Sequence, residues 1–237
     1  MTRICTICAR SGSKGVPGKN VLPVLGMPLI GYTIRTAKQS GLFDAIAVSS
    51  DASTILQAAK DFGADIMVER PTEFATDNSS KIPAILHCLT KAEQAYGSKC
   101  KTFADLDVTS PLRLPDDIRG AVELLETSNA SSVITGCHSR RSPYFNMVEL
   151  NPDGVPFVVK PMDKPLVRRQ DAPVCYDMNA SIYVWDRDAF INNPRVFFDN
   201  TKLFVMPVER SIDIDHATDV ILVEALLAAR SKAEVNL

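Results

Sequence analysis

The sequence predicts an α/β fold with a doubly wound, mainly parallel, Rossmann-like sheet. Three observations predict it. Short apolar runs of strand length alternate along the chain with longer segments whose apolar residues recur at helical spacing. That β-α-β-α succession implies parallel strands with crossover helices on both faces. Finally, 237 residues at 46% hydrophobic and 23% charged suit one globular core and exclude a disordered chain, which is apolar-poor and strongly charged.

The elements follow in order. Residues 3–9 read as a first, buried strand, followed by a loop rich in Gly, Lys and Pro to Pro23. Residues 28–40 read as a helix: Leu29, Ile30, Thr33, Ile34 and Ala37 share a face, and Gly41 is a stop. A second strand falls at 45–49, and Asp51 or Ser53 caps a helix through Phe62. A third strand at 65–68 leads into a polar loop at 71–77 and a helix at 82–96. The fourth strand is 102–108. Pro115 opens a helix at 115–127, where a first turn tolerates it, and 131–135 is the fifth strand.

From Ser139 to Asp177 the alternation breaks. Asn151-Pro152-Asp153-Gly154 is a turn signal between strand-like 145–150 and 155–159, so the stretch reads as a hairpin arm inserted into a single domain of residues 1–237. Residues 180–185 resume a core strand, 203–207 is another, and 218–229 is the closing helix.

The formal charge of −2 argues against a nucleic-acid partner, but its layout is uneven. Residues 1–43 hold six cations (Arg3, Arg10, Lys14, Lys19, Arg35, Lys38) and no acid, leaving 20 basic against 28 acidic residues elsewhere. A second cationic cluster (Arg140, Arg141, Lys160, Lys164, Arg168, Arg169) falls between Ser139 and Gln170, against Glu149, Asp153 and Asp163. No run of about 20 apolar residues and no signal-peptide pattern is present, which predicts a cytoplasmic protein without a membrane span. Six scattered cysteines fit a reducing compartment. Cys5 and Cys8 have C-x-x-C spacing, yet on a strand they point to opposite faces, and without a second pair they read as core residues.

In an open α/β sheet, ligands bind outside the carboxyl ends of the strands, so the loops leaving at Arg10, Ser49, Arg70 and Asp107 are the places to look. The first, residues 9–20, carries Gly12, Gly15 and Gly18 with Arg10, Lys14 and Lys19. Glycines let backbone N–H groups approach an anion and the cations neutralise it. It is not a P-loop: Ser13 and Asn20 stand where a Gly and a Ser or Thr are needed. Nor is it a dinucleotide fingerprint, because its glycines are spaced by three. The second segment is Ser211-Ile212-Asp213-Ile214-Asp215-His216, whose carboxylates project to one side if the chain is extended. With phosphate oxygens they would complete a magnesium site; alternatively Asp215 caps the last helix. Of a further pair, Asp105 and Asp107, both line the site or one is structural. His87, His138 and His216 lack a Ser or Cys partner, so nucleophilic triad chemistry has no support.

On residues 9–20 together with Ser211–Asp215, the sequence resembles the acylneuraminate cytidylyltransferase (CMP-nonulosonate synthetase) family. The string A-R-x-x-S-K-G-x-P-x-K-N is matched in full. The similarity runs through Arg70-Pro71, residues 109–113, Asn179 and S-I-D-I-D. Residues 141–147, 168–173 and 176–183 look most like the branch that makes CMP-N,N'-diacetyllegionaminic acid.

The resemblance implies the following. Ala9, Arg10, Ser13, Lys19 and Asn20 bind CTP, with Arg70, Ser79 and Ser80 also on the nucleotide. Lys14 either meets the triphosphate or stays solvated. Asp213 and Asp215 hold Mg²⁺ (or Mn²⁺), and with Arg10 and Lys19 form the catalytic set. Asp107, Thr109, Ser110, Arg168, Arg169, Gln170 and Asn179 bind the sugar acid. The arm, residues 139–177, reaches over the neighbouring subunit of a homodimer, where Arg169 meets the sugar carboxylate. Three departures from sialic-acid members stand out: Asp107 for glutamine, Asp177 for arginine and, in the base-recognition loop beside Ser79 and Ser80, Lys81 for serine. A carboxylate at 107, where an amide touches the sugar, implies a substrate with a different hydrogen-bond pattern and disfavours sialic acid itself. The expected reaction is attack of the sugar's anomeric hydroxyl on the α-phosphorus of CTP, releasing pyrophosphate. Rival expectations are a synthetase for N-acetylneuraminate, pseudaminate or Kdo, an Asp-x-Asp glycosyltransferase, and a non-catalytic nucleotide-binding protein.

Overall fold

The computed structural model describes residues 1–12, 15–76, 79–164 and 166–235. The first apolar run is strand β1 (Arg3–Cys8). A 3-10 turn at Lys19–Val21 and a short hairpin of β2 (Pro23–Val24) and β3 (Met27–Pro28) lead into α1 (Leu29–Ser40). Then come β4 (Ala45–Ser50), α2 (Ser53–Asp61), β5 (Ile66–Glu69), α3 (Lys81–Tyr96), β6 (Thr102–Leu106), α4 (Pro115–Thr127) and β7 (Ser132–His138). The remainder is β8 (Val148–Leu150), β9 (Pro156–Val158), β10 (Tyr176–Asp186), α5 (Arg187–Asn192), β11 (Lys202–Val205) and α6 (Ala217–Val235).

Seven strands form one sheet in the order β11-β7-β10-β6-β1-β4-β5. Helices cover both faces, so β4 and β6 are buried along their whole length, which is why they read as continuous apolar runs. On one face Leu29, Ile30 and Ile34 of α1, Ile55 of α2, Ile118 and Val122 of α4, and Val223 and Leu227 of α6 share a core. On the other, Ile85 and Leu89 of α3 and Phe190 of α5 pack with Phe103 and Trp185. The Phe103 and Trp185 rings stack at 5.1 Å, and the Trp185 Nε1–H donates to the Arg195 carbonyl (3.0 Å).

Beside β1 the strand order reverses: β4 and β5 lie on one side, β6 on the other, all four parallel. This is the switch point where the carboxyl ends of neighbouring strands splay apart and leave a crevice. Cys5 and Cys8 sit on β1 as free thiols, Cys5 fully buried and Cys8 half-buried.

The sheet is mainly parallel, as expected, with β10 its antiparallel member; the arm's first strand and the cap of α2 need correcting. Strand β10 runs antiparallel to both β6 and β7. The reason is that β7 leaves the sheet at His138 and the arm returns beside it, Tyr176 pairing with His138, so the excursion closes as a long hairpin. Within the arm, only 148–150 of the expected 145–150 strand forms. Residues 142–147 instead fold on the Ser142 carbonyl, which accepts from the N–H groups of Phe145, Asn146 and Met147. Ala52, not Asp51 or Ser53, is the N-cap of α2. The β2–β3 hairpin and α5 were not legible as periodic patterns, being two and six residues long. Their local signals are Leu25-Gly26, both at positive φ, and Asp186, whose carboxylate accepts from the Ala189 N–H.

Candidate active site

The crevice holds a cavity of about 590 Å³. Of the residues singled out from sequence, Arg10, Lys19, Asn20, Arg70, Ser79, Ser80, Asp107, Thr109, Asp213 and Asp215 all line it. They come from five separate segments, and each is aimed by local contacts.

The loop after β1 is pinned at its start. Ser11 donates its N–H (2.8 Å) and its hydroxyl (2.6 Å) to the two carboxylate oxygens of Asp51, so Asp51 anchors the loop instead of capping a helix. The Arg10 guanidinium donates to the Thr76 carbonyl (2.8 Å), and the Asn20 amide donates to the Arg10 carbonyl (2.7 Å). Further on, Gly15 lies so close to the backbone of Asp215 that a Cβ there would overlap its carbonyl oxygen. Only glycine permits that approach. Ser13 and Lys14 fall outside the described residues.

The acidic segment is registered by Ile214, which is fully buried and whose N–H donates to the Thr109 carbonyl (3.0 Å). With Ile214 turned inward, its neighbours Asp213 and Asp215 both face the cavity. Asp215 does not cap the last helix. Asp219, in the first turn of α6, instead reaches back to accept the N–H groups of Asp215 (2.9 Å) and His216 (2.7 Å). Asp215 is left largely exposed and pairs with the Lys19 ammonium at 3.2 Å; that ammonium also donates to the Ile214 carbonyl (2.6 Å). Burial pushes the Asp213 carboxyl above its usual value. The Thr109 hydroxyl and Lys19 oppose this, while the like charges of Asp107 and Asp215 add to it. One Asp213 oxygen, Oδ1, is buried with no hydrogen-bond partner. Two adjacent carboxylates, one with an orphaned oxygen, are a donor set suited to a hard divalent cation whose remaining ligands are substrate oxygens and water. Among the described residues no third His, Cys, Asp or Glu joins them in a metal-holding cluster.

Arg70, at the end of β5, is buried and held by the Ser49 carbonyl (3.0 Å) and hydroxyl (3.3 Å). Lys81, the first residue of α3, lies 2.9 Å from carboxylate oxygens of both Asp105 and Asp107. Asp107 also accepts from the Thr109 N–H (3.3 Å) and hydroxyl (3.0 Å). Burial alone would raise the Asp107 carboxyl, but Lys81, Thr109 and Arg113 bring it down to about 2. Asp105 is fully buried, accepting from the Thr6 hydroxyl (2.8 Å), so of this pair only Asp107 lines the cavity.

Other expected residues lie elsewhere. Ala9 is buried in the core, and Ser110 is buried with its hydroxyl unpartnered. Asn179 is buried on β10, where its carbonyl accepts from Thr135 (2.7 Å) and its amide donates to the Ser211 hydroxyl (2.9 Å). The ladder is irregular between Met178 and Tyr183, and Ala180 takes a positive φ of 51° there. The bulge turns Asn179 toward the start of the acidic segment, so it braces that segment from behind. On the arm, Arg169 and Gln170 line a separate cavity of about 350 Å³, Arg169 donating to the Ser139 carbonyl (2.9 Å). Arg168 pairs with Asp171 at 3.1 Å.

Four cations (Arg10, Lys19, Arg70 and Lys81) and the acids Asp213 and Asp215 thus line one switch-point crevice, an arrangement suited to a polyphosphate substrate. Comparison with known proteins gives the class, a nucleotidyltransferase: a family model described as cytidylyltransferase matches residues 4–219, and the chain belongs to that family. It is 40% identical over 228 residues to the CMP-N,N'-diacetyllegionaminic acid synthase of Campylobacter jejuni, and 39% identical over 228 residues to the post-translational flagellin modification protein B of Campylobacter coli. Each alignment covers 96% of both chains. Among solved structures, a CMP:2-keto-3-deoxy-manno-octonic acid synthetase complexed with CTP matches 97% of this chain and 100% of its own, with a TM-score of 0.70 at 18% identity, a likeness of fold.

Proposed function

We propose that this cytidylyltransferase activates a nine-carbon 2-keto sugar acid, N,N'-diacetyllegionaminic acid, with CTP to give the CMP-sugar and pyrophosphate. The observation that carries the reading is the lining of one cavity by Arg10 and Lys19 together with Asp213 and Asp215. Full-length identity of 40% to a synthase of that name supports the choice of sugar.

In this reading the anomeric hydroxyl attacks the α-phosphorus in line and expels pyrophosphate, a reaction that needs alignment and charge neutralisation above all. Arg10 and Lys19 stabilise the charge that builds on the phosphates, moving from neighbouring oxygens onto the triphosphate. Asn20, Arg70, Ser79 and Ser80 hold the nucleotide against the α3 side of the cavity; Asp107 and Thr109 face the sugar. Asp213 and Asp215 would hold Mg²⁺ or Mn²⁺, which when bound supplies further charge neutralisation and polarises phosphate oxygens.

The arm argues for a homodimer. Val148, Leu150, Val155, Phe157, Met162 and Val167 are all exposed on it, an apolar surface of the kind that a partner subunit covers. A second copy would bring Arg168, Arg169 and Gln170 over the neighbouring cavity, completing it with cations for the sugar carboxylate.

Pyrophosphate release with CTP tests the reading against a panel of N,N'-diacetyllegionaminic, N-acetylneuraminic, pseudaminic and Kdo acids. The highest kcat/KM should fall on the first. A higher value on another acid moves the substrate, and CTP binding without release overturns the enzyme assignment at this site.

A further inference from the structure

Lysine is an unfavourable residue with which to open a helix, because the free N–H groups there already present positive charge. Helix α3 nevertheless begins with Lys81 and has no acid in its first turn. What seats the lysine comes from other elements. Its ammonium is 2.9 Å from Asp105 of β6, 2.9 Å from Asp107 just beyond it, and 4.9 Å above the Tyr183 ring of β10. The Tyr183 ring in turn stacks on Trp185 at 5.5 Å, in the core. The side chain stays a third exposed, toward the cavity that Lys81 and Asp107 both line.

Charge bookkeeping over this group is simple. Lys81 faces both carboxylates, the buried Arg113 guanidinium adds a second positive charge that also holds Asp107 down, and Asp105, fully buried, cannot turn to solvent. Asp107 is therefore kept ionised, with Oδ1 on Thr109 and Oδ2 on Lys81. An ionised carboxylate accepts hydrogen bonds and donates none.

Resting on the function proposed above, we propose that Lys81 is a positioning residue for the sugar acid: by clasping Asp105 and Asp107 it fixes a carboxylate acceptor in the cavity wall, which selects sugar acids that present an N–H or O–H donor there. Lys81 is thus on the nucleotide side of the cavity by chain position but acts on the other substrate. Its substitution should spare CTP.

The test is steady-state pyrophosphate release with N,N'-diacetyllegionaminic acid or N-acetylneuraminic acid as probe, CTP being varied separately. Lys81→Met should raise KM for the diacetyl acid about tenfold or more, the scale of one lost charge-assisted hydrogen bond, with KM for CTP within about threefold of wild type. Lys81→Arg should restore much of the loss. Asp107→Asn, which adds a donor to the wall, should narrow the preference between the two sugars. If Lys81→Met leaves a buried Asp105 that prevents folding, the doubly substituted Lys81→Met/Asp105→Asn protein removes that charge and must show the same KM split. A rise in KM for CTP alone, or unchanged KM values for both substrates, overturns the proposal and leaves the function standing. Absence of release by the wild type with every sugar acid overturns both.

Discussion

Gly15→Ala isolates the fit between the two segments proposed to carry the chemistry. A Cβ at Gly15 overlaps the Asp215 carbonyl oxygen by about 1 Å and lies 3.2 Å from its carbonyl carbon. Both are backbone atoms, so no rotamer change relieves the clash. Either the loop bearing Lys19 or the segment bearing Asp213 and Asp215 must shift by about that distance. A displacement of 1 Å at reacting groups costs on the order of 10²-fold in rate, equivalent to about 2.7 kcal/mol of barrier. Gly15 is exposed, so the fold itself should be little affected. The assay is kcat for pyrophosphate release, with thermal unfolding measured alongside. A wild-type kcat in the substituted protein would refute the argument that this contact sets the site, and a large fall in melting temperature would refute the claim that the effect is local.

Further outcomes are expected. Lys19→Ala and Asp213→Ala should each lower turnover by at least roughly 10²-fold, the scale of one lost electrostatic stabiliser; near-normal turnover in both folded proteins would sink the mechanism. Arg210→Met should destabilise by about 3 kcal/mol, or about 10 °C in melting temperature at this chain length. It strips buried Asp117 of two charged hydrogen bonds, at 2.8 and 2.9 Å; an unchanged melt would contradict this. Asp107 is held down at about 2 in the fold, against 3.8 unperturbed. Its contribution to stability is therefore complete above pH 4 and lost as pH falls toward 2, about 2 kcal/mol in all. Denaturant midpoints of wild type and Asp107→Asn should converge over that window, and parallel curves would contradict it. Phe157→Asp on the arm should leave a monomer by sedimentation, and a persisting dimer would place the interface elsewhere.

Much of the α/β alternation was legible because helices cover both faces of the sheet, so strands had to be apolar runs and helices had to show one apolar face. Strand direction was not. The run at β10 reads the same both ways, and only the return of the arm beside β7 makes it antiparallel. Nor could sequence separate roles among like residues. Asp51 and Asp215 both looked like helix caps, yet Asp51 holds Ser11 and Asp215 pairs with Lys19. Asp219, inside the first turn of α6, reaches back to hold the N–H groups of Asp215 and His216. Asn179 stands in a matching motif but is buried behind the acidic segment, because a bulge that leaves no compositional trace turns it there.

By itself the sequence determined which chemistry is on offer: a Gly-rich cationic loop after the first strand, two aspartates flanking an isoleucine, and an inserted arm that carries paired arginines. Those features are local, set by the alternation of the backbone and the charge of neighbours. Tertiary structure decided which of them meet. The crossing of β4 and β6 to opposite sides of β1 opens the crevice, Ile214 in the core turns both acids into it, and Gly15 allows the loop to close on them. The union of Lys81 with Asp105 and Asp107 joins a helix start to a strand end some 25 residues away, a contact through space that local periodicity cannot encode.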